Sequence, residues 1–188
     1  MTLTLPATLR VTPDQFWQIC QANPNEVLEL SAGGEIEAMS PTGWQSGKRN
    51  ADITFSLRNW VRQAGQGAAF DSSTGFRLPN GAVRSPDAAW ISSEKLATVD
   101  PSAPDQFFPG CPDFVIELAS ASDDLTQLRA KMAEYIDNGA ELGWLIVPRL
   151  RQTEIYTPGQ AVVVLNGAPQ ITAPELLPGF VLETTDIF

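Results

Sequence analysis

The pattern of apolar and polar residues along the chain predicts short strands interleaved with three amphipathic helices. The predicted helices cover residues 12–22, 43–64 and 124–137. Thr12 is a suitable N-cap for the first helix, and Ser122 or Asp123 for the third. The predicted strands cover residues 27–30, 35–39, 69–77, 87–91, 113–119, 143–147, 154–156 and 161–165. This order of elements predicts a mixed sheet with helices on its faces, an α/β architecture, in a single domain over residues 1–188.

Other segments are predicted to be irregular or simply buried. Residues 95–112 are rich in Pro, Ser and Asp and predict a loop with one helical turn, and the Pro-rich tail predicts only short apolar pieces. Four tryptophans are expected mostly in the core: Trp44, Trp60, Trp90 and Trp144.

Three acids interrupt apolar strand segments, namely Glu29 in VLEL, Asp87 in PDAAWI and Glu117 in FVIELA. A buried carboxylate needs a partner, a cation or solvent, because its desolvation costs several kcal/mol or more. For each acid alone, an edge-strand carboxylate facing water is the simpler interpretation. Together, Asp87 and Glu117 on separate strands predict a site for a hard divalent cation, Mg²⁺ or Mn²⁺.

The composition narrows the chemistry further. The chain has no histidine, which excludes a Ser-His-Asp triad, a Cys-His dyad and imidazole metal ligands. Cys20 and Cys111 are expected to be free thiols in a reducing compartment. With no apolar run long enough to span a bilayer and no secretory signal, a cytoplasmic protein without membrane partners is expected.

A lysine on the third helix is a candidate for the positive group of the site. Lys131 and Arg129 flank the apolar stripe of this helix on opposite sides, so Lys131 can lay its stem on the core and direct its ammonium towards the sheet. The alternative is an exposed lysine paired with Glu134, Asp137 or Gln127 on the helix surface.

The net charge of −10 disfavours general binding to nucleic acid. Basic residues are nevertheless concentrated in one part of the chain and predict a local phosphate-binding face: Lys48, Arg49, Arg58, Arg62 and Arg84. An ordinary solvated helix surface is the competing interpretation, and on charge alone it is the better one.

Three blocks of the chain, in this order, resemble the Uma-two family of restriction-endonuclease-like proteins: VLELSAGGEIEAMSPTG, RSPDAAWIS and PDFVIELASASDDLTQLRAKMAEYIDNGAELGWLIVP. The resemblance implies a PD-(D/E)xK nuclease fold with a Mg²⁺-type site at Asp87 and Glu117. It also implies that Glu29 is the family's first acid and that Lys131 is its helix lysine. We therefore expect a metal-dependent endonuclease acting on DNA, with Lys48, Arg49 and Arg84 contacting phosphates.

Two positions depart from the expected pattern. The superfamily lysine stands two residues after the glutamate, where this chain has Ala119, and the family often has a histidine where this chain has Ser46. These departures favour a second hypothesis, an inactive nuclease-fold binding or interaction module. A third is a hydrolase of another phosphorylated or carboxylate substrate, which the fold alone does not exclude. A homodimer is expected because two sites would cut two strands.

Overall fold

The protein is described by a computed structural model that covers residues 6, 8–100 and 106–188. Its α-helices are α1 (Pro13–Ala22), α2 (Trp44–Ala64), α3 (Ser93–Leu96) and α4 (Leu125–Asp137). Thr12 caps α1 in a capping box with Gln15, as its sequence indicates. The cap of α4 is Asp124, whose carboxylate accepts from Thr126 N, so the prediction of Ser122 or Asp123 was wrong by one or two positions. Within these described ranges, no helix is long and apolar enough to cross a bilayer.

A six-stranded sheet forms the centre of the molecule, with strand order β11-β10-β9-β8-β6-β3. Its strands are β3 (Ala68–Asp71), β6 (Ala88–Ile91), β8 (Phe114–Leu118), β9 (Leu142–Val147), β10 (Gln152–Tyr156) and β11 (Val163–Asn166). Within this sheet β8 and β9 pair in parallel, and α4 makes the crossover between them. The other pairings in this sheet are antiparallel. The predicted mixed sheet is therefore confirmed.

Helices cover both faces of this sheet, as predicted. On one face Ile116 and Trp144 belong to the core formed with α2 and the C-terminal strands. On the other face Val115 packs with Met132 and Tyr135 of α4. Because side chains alternate along a strand, Glu117 projects to the α4 face with Val115, where a helix residue can reach it.

A second sheet of five strands has the order β2-β1-β5-β4-β7. Its strands are β1 (Val27–Leu30), β2 (Ile36–Met39), β4 (Phe76–Arg77), β5 (Val83–Arg84) and β7 (Phe108–Pro109). Helix α1 packs on this sheet through Phe16, which contacts the core formed by Leu28, Leu30 and Val83. This sheet carries Glu29 and Arg84 towards the central sheet.

Three expectations from the sequence were wrong in part. The strand predicted over 69–77 is broken, since Asp71 caps a turn by accepting from Ser73 N, and β3 and β4 lie in different sheets. The tail forms a hairpin of β12 (Gln170–Ala173) and β13 (Leu177–Glu183), whose Phe180 packs against the core. Trp44 is 79% exposed, whereas Trp60, Trp90 and Trp144 are buried.

The predicted loop over 95–112 contains part of α3 at its start and the short strand β7, and residues 101–105 of this prediction lie outside the described residues. Cys20 and Cys111 are both free thiols.

Candidate functional site

Two of the acids singled out in the sequence meet across neighbouring strands. Strands β6 and β8 pair antiparallel with Ala88 opposite Ile116. One step further along this register, Asp87 comes opposite Glu117, immediately before β6 begins. Burial raises the pKa of Glu117, and the charge of Asp87 raises it further.

Lys131 joins the acids of the two sheets. Its Nζ lies 2.9 Å from Oε1 of Glu117 and 2.9 Å from Oε1 of Glu29, and only 12% of its side chain is exposed. These contacts favour the interpretation of Lys131 as a site residue over that of a surface lysine. Lys131 of α4 thus places its ammonium beside the carboxylate of Glu117 on β8.

Glu29 is buried and its carboxylate is fully engaged. Oε1 accepts from Lys131 and from Ser85 N, at 2.9 and 2.8 Å, and Oε2 accepts from Arg84 Nη1 at 3.2 Å. With both oxygens occupied by donors, Glu29 is suited to holding Lys131 and Arg84 in position.

Arg84 lies inside this cluster. Besides Glu29, its guanidinium donates to Glu37 at 2.9 Å and to Glu134 at 2.7 Å. Its side chain is 10% exposed. Glu134 binds its Nε, and Glu29 and Glu37 bind its Nη1, so part of the guanidinium is used within the protein, and the expected phosphate contact of Arg84 stays a prediction.

Tyr135 is a further member of the site that the sequence reasoning missed. It lies four residues after Lys131 on α4, and its hydroxyl donates to Glu117 Oε1 at 2.9 Å. Burial and the Glu117 charge raise the pKa of the phenol well above its usual value, so it stays a donor. The available signal was that a buried tyrosine on an apolar stripe needs a polar partner for its hydroxyl.

Asn50 of α2 is the second missed residue. Its Nδ2 donates to Asp87 Oδ1 at 2.8 Å, while Leu118 N donates to Asp87 Oδ2 at 2.8 Å. The amide oxygen of Asn50 is buried, and none of the described residues donates a hydrogen bond to it. An unsatisfied buried carbonyl costs about 1–3 kcal/mol. No sequence pattern distinguishes Asn50 from the other polar residues of α2.

The electrostatics of the site show an excess of negative charge. Burial, together with the charges of Asp87 and Glu29, raises the pKa of Glu117 to about 7, against the opposing effect of Lys131. Burial also raises the pKa of Asp87, although the Leu118 N–H opposes it. Burial alone would lower the pKa of Lys131, but the carboxylates of Glu117 and Glu29 outweigh it and raise that pKa. A hard cation would offset the remaining charge.

The oxygen atoms at this position fit such a cation. Lys131 and Tyr135 both contact Oε1 of Glu117, and no described residue donates to its Oε2. Asp87 and Asn50 add further hard oxygen atoms, of the kind that Mg²⁺ and Mn²⁺ prefer. Across the described part of the chain, no three His, Cys, Asp or Glu side chains are close enough to hold a metal ion. The protein therefore offers two carboxylates, and other oxygens would complete the coordination.

The expected phosphate-binding residues on α2 are separate from this cluster. Lys48 is exposed and pairs with Asp52 at 2.7 Å, and Arg49 is half-buried. Arg58 and Arg62 are exposed, two to four turns further along the helix. Lys48 and Arg49 directly precede Asn50, so the start of α2 carries both the basic pair and a contact to Asp87.

Comparisons with known proteins show the family and the fold of the chain. The model of the Uma2 family, described as "Putative restriction endonuclease", matches residues 13–185. A crystal structure at 1.96 Å of a protein titled a "putative nuclease belonging to DUF820", from Anabaena variabilis, superposes with a TM-score of 0.78. The two chains are 19% identical, and the match covers 95% of this chain and 97% of that one. None of the curated proteins compared with the chain matches it. The predicted restriction-endonuclease-like fold is confirmed.

Proposed function

Because the chain belongs to the Uma2 family of restriction-endonuclease-like proteins, we propose that it is a divalent-metal-dependent endonuclease that hydrolyses phosphodiester bonds in DNA. The observation that carries this proposal is the convergence of Asp87, Glu117 and Lys131 at the end of the central sheet. Two carboxylates with unused oxygen lone pairs can hold a divalent cation, and an ammonium beside them can stabilise the negative charge of a reacting phosphate.

In this proposal Asp87 and Glu117 hold Mg²⁺ or Mn²⁺, with the backbone carbonyl of Leu118 helping. When bound, the cation supplies Lewis-acid chemistry at a phosphate oxygen. Hydrolysis joins the oxygen of a water molecule to phosphorus and breaks the bond to the leaving oxygen, which takes up a proton.

Lys131 would stabilise the phosphate as its negative charge develops. An ammonium has three N–H groups. Glu117 and Glu29 are its two carboxylate neighbours, so one N–H remains for a phosphate oxygen. Glu29 and Tyr135 act as positioning residues, Glu29 through Lys131 and Tyr135 through Glu117. Because donors already occupy both oxygens of Glu29, this proposal does not give Glu29 a metal-bound water or a second cation to hold.

Substrate would be bound by the basic start of α2. Lys48 and Arg49 would contact DNA phosphates, and Arg84 would do so through Nη2, because Glu29, Glu37 and Glu134 bind only its Nε and Nη1. With an overall charge of −10, affinity for DNA would be low and would fall as the salt concentration rises. We further propose that the chain is one domain, acts in the cytoplasm and cuts as a homodimer.

A nicking assay tests the proposed activity. The purified protein with Mg²⁺ or Mn²⁺ should nick supercoiled plasmid, and Asp87→Asn and Glu117→Gln should each lower the rate by about a hundredfold or more. Glu154→Gln, at a buried strand glutamate away from the site, is the matched control and should remain active. Equal nicking by Asp87→Asn and the wild type would mean a contaminating nuclease or a different site.

The second candidate function is that of a nuclease-fold binding module without activity. It is favoured by Ala119, which stands where the superfamily has its lysine, and by Ser46, which replaces the family's frequent histidine. Titration with Mn²⁺ separates the two candidates. Binding at or below millimolar concentration supports the nuclease, whereas no binding in that range supports the module.

A further inference from the structure

The side chain of Asn50 reaches the candidate cation site from helix α2, whereas Asp87 lies immediately before β6 and Glu117 lies on β8 of the central sheet. Asn50 lies in α2, and the two neighbouring turns of this helix are anchored in the core by Ile53 and Leu57. Thr54 Oγ1 lies 3.5 Å from the backbone oxygen of Asp87, which links the same helix to the start of β6. The position of Asn50 relative to Asp87 is thus fixed by packing and not by the amide alone.

The two ends of the Asn50 amide have different surroundings. Nδ2 is bound to Asp87 Oδ1, whereas Oδ1 is buried without a donor among the described residues. A buried carbonyl oxygen ordinarily has a partner. Here it lies beside a carboxylate that is itself a candidate metal ligand, and an amide oxygen is among the hard ligands of divalent cations.

We propose that the side-chain oxygen of Asn50 is the third protein ligand of the cation held by Asp87 and Glu117. This proposal rests on the proposed function, since it requires that Asp87 and Glu117 bind a cation. The site then combines one oxygen ligand from α2 with one carboxylate at the start of β6 and one on β8. This set fits the finding that no third acidic side chain is close enough to serve.

An alternative role for Asn50 is to hold Asp87 through its N–H group. The two roles make opposite predictions for Asn50→Asp, which keeps the oxygen but loses the N–H donor. A ligand oxygen would be retained and would gain charge in this variant. A donor that positions Asp87 would be lost and replaced by a repelling carboxylate.

The experiment is a Mn²⁺ titration of the intact protein, followed by electron paramagnetic resonance of the free ion. Asn50→Ala should weaken binding by about tenfold or more. Asn50→Asp should bind Mn²⁺ at least as tightly as the wild type. Asn59→Ala and Asn59→Asp, at an exposed position of the same helix, are the matched controls and should leave the affinity unchanged. Thermal unfolding in EDTA checks that each variant is folded.

Each outcome supports or overturns the proposal. Unchanged affinity in Asn50→Ala, or equal loss in Asn50→Ala and Asn50→Asp, would overturn the ligand role while leaving the metal site of the proposed function intact. Failure of the wild type itself to bind Mn²⁺ would instead overturn the proposed function and this inference with it.

Discussion

Helix α4 contributes to two clusters that each combine a basic side chain, a glutamate and a tyrosine, but that differ in charge balance and exposure. Two residues apart, Lys131 and Arg129 each contact a strand glutamate that also accepts from a tyrosine hydroxyl. For Lys131 the partners are Glu117 and Tyr135. In the second cluster Arg129 donates to Glu154 with Nε and Nη2. The hydroxyl of Tyr156 donates to the same glutamate at 2.8 Å.

The clusters differ in charge balance and in exposure. Arg129 has one carboxylate to pair with, its side chain is 49% exposed, and its hydrogen bonds lower the pKa of Glu154. Lys131 is shared between two buried carboxylates near a third, and the pKa of Glu117 rises to about 7. The Arg129 cluster is typical of an ion pair that stabilises a fold, whereas the unbalanced buried charge around Lys131 is typical of a candidate functional site.

The largest difference between the two clusters is expected in the free energy of unfolding, when the positively charged side chain of each is removed. Lys131→Met should lower the free energy of unfolding by about 4 kcal/mol, because it leaves buried carboxylates without their ammonium. Arg129→Met should cost at most about 1 kcal/mol, because water replaces part of a half-exposed pair. Urea unfolding at pH 8 in EDTA measures both. Equal losses would mean that the two clusters are equivalent.

The two glutamates should give pH dependences of opposite sign. Glu117 holds its proton more tightly in the folded state, so its ionisation makes the fold progressively less stable as pH rises from about 4.5 to about 7. The full effect is on the order of 3 kcal/mol. Glu117→Gln should remove this pH-dependent loss, so that the free energy of unfolding of the variant rises relative to that of the wild type from about pH 4.5 to about pH 7.

Glu154 has a lowered pKa, so its contribution to stability is present above its ordinary pKa of 4.5 and is lost as pH falls through the lowered value. Glu154→Gln should therefore flatten only the acid side of the stability curve. Urea unfolding from pH 3 to pH 8 in EDTA compares the variants. A loss of stability in Glu117→Gln that grows with pH would contradict this account.

The smallest contrast is expected between the two tyrosines. Tyr135→Phe and Tyr156→Phe each remove one hydrogen bond to a carboxylate and should each cost about 1.5 kcal/mol of stability. Only Tyr135→Phe should also lower the affinity for Mn²⁺, by about tenfold, because the Glu117 carboxylate loses the hydroxyl that orients it. A calorimetric Mn²⁺ titration distinguishes them, and an equal change in Tyr156→Phe would remove the contrast.

Local pattern singled out the acids and the lysine of the candidate site, although the family resemblance was needed to choose among the alternatives. The alternation in FVIEL puts Glu117 on the face of its strand that α4 covers, and the helical period puts Lys131 beside the apolar stripe that packs there. Both follow from the geometry of a single element. The same reasoning placed Arg129 on the opposite flank of the stripe, where the structure has it bound to Glu154.

Contacts between elements that are distant in the sequence could not be predicted from the periodicity of single strands and helices. The bonds of Arg84 to Glu37 and Glu134, and that of Asn50 to Asp87, depend on how the second sheet and α2 dock on the central sheet. No local periodicity encodes this docking. The exposed Trp44 shows the same limit, since an apolar residue in the first turn of a helix is buried only if another element covers it.

A crystal of the protein soaked in Mn²⁺ and measured at the manganese absorption edge tests the central claim most directly. The account predicts one anomalous peak per protomer, bound by Asp87 and Glu117 and adjacent to the Lys131 ammonium. No peak at this position in a crystal soaked at millimolar Mn²⁺, with Glu117 still bound only to Lys131 and Tyr135, would contradict it.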